Sequence, residues 1–267
     1  MVTALLVILG FLAGLLGALT GIGGGVILTP ILALHFGIPI REAIGTSLVA
    51  VITTSAASSS VHLQRHTTDI RLGMTLELAT AFGAAVMAYL VGYFNRNVLE
   101  GLFAAFLLYS AITILTKGGK VKDEETLPPA SNGELVIPPY EPKRYPLGLS
   151  ASLVAGALSG LLGIGGGPIK VPVMYIFMNV PLMVATATSN FMIGVTAAAS
   201  AIVYYRRGDI LPEIAAPLAA GVFVGSLLGA RLAPRIHTKI VVYLLVAVMF
   251  YLAGHLAFHL LVVAGKL

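Results

Sequence analysis

The element Gly21-Ile22-Gly23-Gly24-Gly25-Val26-Ile27-Leu28-Thr29-Pro30 occurs a second time, as Gly163-Ile164-Gly165-Gly166-Gly167-Pro168-Ile169-Lys170-Val171-Pro172. Each copy lies inside a long apolar run. Glycine costs a helix about 1 kcal/mol per residue against alanine, so four glycines in five positions predict a helix break at each copy. In a bilayer such a break is tolerated only where the freed backbone groups are buried in protein or line a watery cavity. Glycine also lets successive N–H groups turn the same way, a nest that suits an anion. The apolar residues from Val26 to Phe36 predict a short helix whose positive end faces that point. Close packing between helices and a paired binding site across the two copies are both compatible with the pattern.

The surrounding composition places these breaks in a membrane. Of the 267 residues, 58% are hydrophobic and 10% are charged, where a soluble domain carries roughly a quarter charged residues. Mean hydropathy is +0.97. Several runs reach the roughly 20 apolar residues needed for one helical crossing, which predicts an all-α integral membrane bundle. The formal charge of +5 is dispersed among short loops as a topology signal and does not indicate nucleic-acid binding. The absence of cysteine excludes disulfides and thiolate metal sites. The first Lys or Arg is Arg41, so the apolar N-terminus reads as a retained helix and not as a cleaved signal.

Segment one is predicted over Val2 to Leu19, with Gly10, Gly14 and Gly17 thinning one side. A long segment from Arg41 to Leu63 carries Thr46, Ser47, Thr53, Thr54, Ser55, Ser58, Ser59 and Ser60. A basic loop with Arg65, His66 and Arg71 follows, then helices over Leu72 to Phe94 and Val98 to Thr116. From Lys117 to Pro146 charges of both signs and prolines predict a solvated linker. The chain therefore divides into a first half over 1–116, a linker over 117–146 and a second half over 147–267. In the second half Gly221, Gly225 and Gly229 form one helix stripe, and a closing segment is predicted over Ile240 to Val263.

The offset of 142 that relates Gly21 to Gly163 also relates Gly14 to Gly156, Pro30 to Pro172, Pro39 to Pro181, Ala43 to Ala185, Thr46 to Thr188, Ser47 to Ser189 and Arg65 to Arg207. Beyond Arg65 the identities thin out, and the register is expected to slip by a few residues. With the short helix completing a crossing, each half has five passes and the halves are inverted; with a re-entrant helix, each has four and they are parallel. Both arrangements put equal numbers of Lys and Arg on the linker side, so the positive-inside rule does not choose. The recurrence of inverted repeats around broken helices in transporters favours the ten-segment inverted plan, with its site near the midplane.

The doubled Gly-x-Gly-Gly-Gly…Pro element, the Ala-x-x-Thr-Ser that follows it (Ala43 to Ser47, Ala185 to Ser189), the basic loop and the half-length repeat resemble the sulfite exporter TauE/SafE family, also grouped as the toluene sulfonate uptake permease family. The resemblance covers the chain apart from the linker. It implies a transporter in the cell inner membrane for sulfur-containing anions such as sulfite or organosulfonates, with export as the expected direction. Composition by itself supports a small-solute transporter or channel; the rival to a carrier is an anion channel with a static pore.

The candidate substrate-binding groups are Gly23, Gly24 and Gly25, Gly165, Gly166 and Gly167, and the donors Thr46, Ser47, Thr188, Ser189 and Asn190. Neutral donors bind sulfonate oxygens without burying a fixed charge, although hydroxyls also bridge helices. Lys170 has Leu28 as its counterpart. A lysine at membrane depth is costly unless it snorkels or meets an anion. Arg65, Arg206 and Arg207 follow the hydroxyl-bearing helices and either mark a pathway entrance or anchor helix ends. Glu77 stands either inside a helix, as carrier of a coupling proton, or at a helix end near Arg71. The pairs His62/His66 and His255/His259 are spaced i, i+4, but each lacks the further ligands of a metal site. Neither an enzymatic constellation nor a cofactor motif is present, and the expected partners are a small anion, the bilayer and a coupling proton.

Overall fold

The computed structural model describes residues 2–118, 139–233 and 238–264. Most of the linker expected over 117–146 lies outside the described residues. Among the described residues the chain forms ten α-helices in register with the repeat. They are α1 (Val2–Thr20), α2 (Gly25–His35), α3 (Ile40–Gln64), α4 (Ile70–Leu90), α5 (Arg96–Gly118), α6 (Tyr145–Leu162), α7 (Gly167–Pro172), α8 (Leu182–Arg206), α9 (Pro212–Leu232) and α10 (Thr238–Ala264). A 3₁₀ turn over Val91–Tyr93 extends α4, and a π-helical turn over Val173–Phe177 extends α7. No strand occurs among the described residues.

Both glycine elements interrupt the helix. Gly21 and Gly163 adopt φ of 70° and 71°, and Gly23 and Gly165 adopt 82° and 75°. That left-handed backbone is open to glycine and costly for residues with a side chain. The two copies diverge at one residue: Gly24 is right-handed with φ −68°, whereas Gly166 is left-handed with φ 77°.

The register does not slip beyond Arg65. Helices α3 and α8 begin at 40 and 182, α4 and α9 at 70 and 212, and α5 and α10 at 96 and 238, each pair 142 apart. The identities thin beyond Arg65, yet the helix boundaries keep the offset of 142.

Contacts link each half to the other more than to itself. Helix α1 lies along α9, and α6 along α4. The two glycine stripes foreseen in α1 and α9 meet: Gly10 lies against Leu218, Gly14 against Val222, Gly221 against Val7 and Gly225 against Phe11. Numbers rise together along this seam, so α1 and α9 run the same way. The same holds for α4 and α6, where Gly156 lies against Thr80 and Gly160 against Ala84. It holds for α3 and α9, which join Thr46 to Leu211 and Arg65 to Ala230. Helices α3 and α8 run oppositely: Gly45 at the start of α3 meets Tyr204 near the end of α8, while Ser55 further along bonds Asn190 O.

The outer surface is apolar. Leu78, Phe82 and Tyr89 on α4 are 75%, 66% and 67% exposed, and Val2, Leu5, Ile8 and Leu12 stand out from α1. Among the described residues, six helices are long and apolar enough to cross a membrane. Apolar stripes facing outward around a core rich in Ser and Thr are what a bilayer solvent selects. The protein is a multi-pass membrane bundle.

Candidate functional site

The two breaks lie against each other at the centre of the bundle. Gly25 packs on the Gly163 carbonyl, and Gly167 packs on Gly21 and Ile22. Only hydrogen at Cα permits such an approach, because a Cβ at either position would occupy backbone of the other break.

Hydroxyls from the long helices complete the crossing in a two-fold pattern. Ser189 Oγ donates to the Gly21 carbonyl at 2.9 Å. Ser47 Oγ lies 3.4 Å from the Gly163 carbonyl and 2.9 Å from Ile44 O, and it shares a 2.6 Å bond with Thr29 Oγ1. Asn190 Nδ2 donates to Ala18 O at 3.0 Å, while its buried Oδ1 has no partner among the described residues. Ser47, Ser189 and Asn190 are thus brought together with Gly23–Gly25 and Gly165–Gly167.

Thr46 and Thr188 are not part of that cluster. Thr46 Oγ1 accepts from Leu211 N at 3.1 Å, and Thr188 Oγ1 accepts from Asp69 N at 3.0 Å. Leu211 and Asp69 are the N-caps of α9 and α4. Each threonine therefore ties down the start of a helix from the other half, where the backbone N–H groups have no intrahelical partner. Because α3 and α8 are antiparallel, the two threonines lie at opposite ends of the α3–α8 pair.

The charged centre lies just past the second break. Lys170, on α7, is fully shielded, and its Nζ reaches Glu77 Oε2 at 3.2 Å and Thr196 Oγ1 at 2.8 Å. Thr196 in turn donates to Glu77 Oε1 at 2.5 Å. Lys170 neither snorkels to an interface nor stands alone. Glu77 is not at a helix end either: it lies two turns into α4 and is 3% exposed. A lone lysine and a lone glutamate in apolar surroundings are driven together because each lowers the desolvation cost of the other. That rule makes the two candidates for pairing in the sequence, but it does not say that α4 and α7 meet. Thr196 gave one signal, its register with Thr54. At the positions equivalent to Lys170, Glu77 and Thr196 stand Leu28, Ala219 and Thr54, so the ion pair exists on one side of the two-fold pattern.

Above this centre, at the start of α4, a recess of about 450 Å³ is lined by Asp69, Arg71, Leu72, Thr75, Pro142 and Tyr145. Tyr140 Oη donates to Asp69 Oδ2 at 2.8 Å. Burial, and then the adjacent Asp69 carboxylate, push the Tyr140 phenol above its ordinary range, so it stays a donor at neutral pH.

The arginines are at helix ends. Arg65 donates to the Ala230 and Arg231 carbonyls that close α9, at 3.1 and 3.2 Å. Arg207 pairs with Asp209 at 3.1 Å, and Arg206 is exposed in the last turn of α8. Arg65 and the Arg206–Arg207 pair follow antiparallel helices and lie at opposite ends of the bundle. His62 turns inward to Thr67 Oγ1 at 3.3 Å while His66 is exposed. His255 stacks near His35, and the His259 side chain lies outside the described residues. Among the described residues no three His, Asp or Glu side chains converge as metal ligands.

Comparison with known proteins bears on what such a bundle does. The family described as Sulfite exporter TauE/SafE matches residues 6–256. Probable membrane transporter protein YunE of Bacillus subtilis is 29% identical, over 77% of this chain and 79% of its own length. Probable membrane transporter protein MJ0441 of Methanocaldococcus jannaschii is 30% identical, over 75% and 71% respectively. No solved structure matches. The doubled glycine element, the crossing of the breaks and the match over nearly the whole length agree: the chain belongs to the TauE/SafE sulfite exporter family of membrane transporters.

Proposed function

We propose that this transporter carries small sulfur-containing anions, sulfite or organosulfonates, outward across the membrane by alternating access. The observation that carries this reading is Lys170, a cation shielded from solvent one turn beyond a helix break. The candidate contacts are Lys170, the amides of Gly23–Gly25 and Gly165–Gly167, and Ser47, Ser189 and Asn190. Thr46 and Thr188 act as hinge ties at the starts of α9 and α4. Arg71 in the recess attracts anions toward α4, about 9 Å along the helix axis from Glu77.

The two halves read as inverted copies. The antiparallel α3–α8 pair supports this, as do the parallel α1–α9, α3–α9, α4–α6 and α4–α8 pairs (the last joined at Asp69–Thr188 and Glu77–Thr196), because together they turn α1 and α6 in opposite directions. Two inverted halves that cross at their breaks give two related packings of one interface, which is what alternating access requires.

Uptake by proteoliposomes of labelled sulfite, sulfoacetate, taurine and sulfate tests the reading. Saturable flux of sulfite or an organosulfonate, accelerated by unlabelled anion on the far side, is expected; non-saturating, conductive flux would mean a static channel. Lys170→Met is expected to weaken anion affinity about tenfold or more, corresponding to about 1.4 kcal/mol. The matched change Leu28→Met is expected to bind nearly as the unaltered protein does.

A further inference from the structure

We propose that Glu77 and the transported anion are alternative partners of Lys170, so that each monovalent anion crosses together with a proton on Glu77. This rests on the anion-transport reading above and adds its coupling ion and its charge preference.

In the structure the site is neutral and complete. The Lys170 ammonium is held by the Glu77 carboxylate and the Thr196 hydroxyl, and the hydroxyl bridges back to Glu77. An anion arriving while Glu77 is ionised would leave two negative groups sharing one buried cation, which low dielectric penalises steeply. A proton on the Glu77 carboxylate removes that conflict: the carboxyl becomes neutral, and Lys170 keeps a positive charge that the anion then neutralises. The count closes at every stage, since ammonium with carboxylate sums to zero, and so does ammonium with carboxylic acid and a monoanion. Binding of the proton and of the anion thus favour each other, and the coupling is reciprocal.

The surroundings leave this role to one pair. The elements packed against α4 bring the ionisable groups Tyr145 at the start of α6, Tyr93 in the 3₁₀ turn, Tyr175 beyond α7, and Tyr204, Tyr205 and Arg206 at the far end of α8. Lys170 is the charged group that touches Glu77 among the described residues. On the other side of the two-fold pattern Leu28 and Ala219 replace the pair, so one coupled site per chain follows. A dianion such as sulfate would leave the loaded site with net charge and is selected against.

The test uses the full chain in proteoliposomes, a trapped pH dye and labelled methanesulfonate, whose charge does not change over the working pH range. For the unaltered protein, uptake is expected to acidify the lumen by roughly one proton per anion, to be insensitive to membrane voltage and to rise about tenfold or more with an inward acid gradient. Glu77→Gln is expected to take up methanesulfonate without acidification, with a rate independent of pH and sensitive to voltage; Glu77→Asp is expected to keep the proton. Methanesulfonate uptake by the unaltered protein with no accompanying proton overturns the coupling while leaving anion transport standing. Absence of uptake of any sulfonate or sulfite overturns the transport reading itself. Because the unaltered protein alone decides the first point, a poorly folding variant does not protect the proposal.

Discussion

At the scale of single residues, the Lys170–Glu77 pair links stability to the proposed chemistry. Both side chains are almost fully shielded, at 0% and 4% exposure. Removing one partner strands the other, whereas replacing both leaves nothing unpaired. Lys170→Met is therefore expected to destabilise the detergent-solubilised protein by about 3–5 kcal/mol, and Lys170→Met with Glu77→Leu to recover most of that loss. Thermal unfolding of the four forms measures the cycle; simple addition of the two single effects would show that the charges do not stabilise each other. The double variant is nonetheless expected to bind anion as weakly as Lys170→Met does, which separates the pair's structural role from its proposed binding role.

At the scale of elements, the seams α1–α9 and α4–α6 depend on glycine. Without a hydrophobic force between helices in lipid, close backbone approach supplies dispersion contacts that larger residues would prevent. Gly225 lies directly on the Phe11 backbone, so Gly225→Leu must push α9 from α1. A loss of at least about 1–3 kcal/mol is expected from such overpacking. Gly254 on α10 has nothing within 4 Å of where a Cβ would be, and Gly254→Ala is expected to unfold at nearly the unaltered temperature. A similar loss for both would mean that glycine matters here for something other than contact. The π-helical turn after Pro172 also belongs to this scale. It follows the break that carries Lys170, whereas α2 stays α-helical past Pro30, and π turns are frequent at functional sites.

At the scale of the whole molecule, the proposed inversion of the halves predicts that equivalent residues face opposite sides of the membrane. Gln64 and Arg206 are both exposed, close α3 and α8, and are 142 apart. The chain contains no cysteine, so Gln64→Cys and Arg206→Cys each introduce a single thiol. Labelling of intact cells with a membrane-impermeant maleimide is expected to reach one of the two positions and leave the other unlabelled until the cells are opened. Reaction of both from the same side would make the halves parallel.

Hydropathy and glycine placement were enough, without a structure, to define the membrane bundle, the two breaks and the 142-residue repeat. These depend on local physics: transfer of apolar segments into lipid, and the cost of glycine in a helix. The family was legible for the same reason, because its markers are local runs. The pairing of Lys170 with Glu77 through Thr196, the role of Thr46 and Thr188 as helix ties and the separation of Arg65 from Arg206–Arg207 were decided only by tertiary structure. So was the continuous register beyond Arg65, hidden by substitutions that preserve helix length. Each depends on which helix lies beside which, and apolar helices in lipid carry little sequence signal for their neighbours, since leucine packs against lipid and protein alike. Glu77 shows the difference most plainly: its position in the chain allowed a helix end or a helix interior, and the approach of α7 and α8 to α4 made it the partner of a buried lysine.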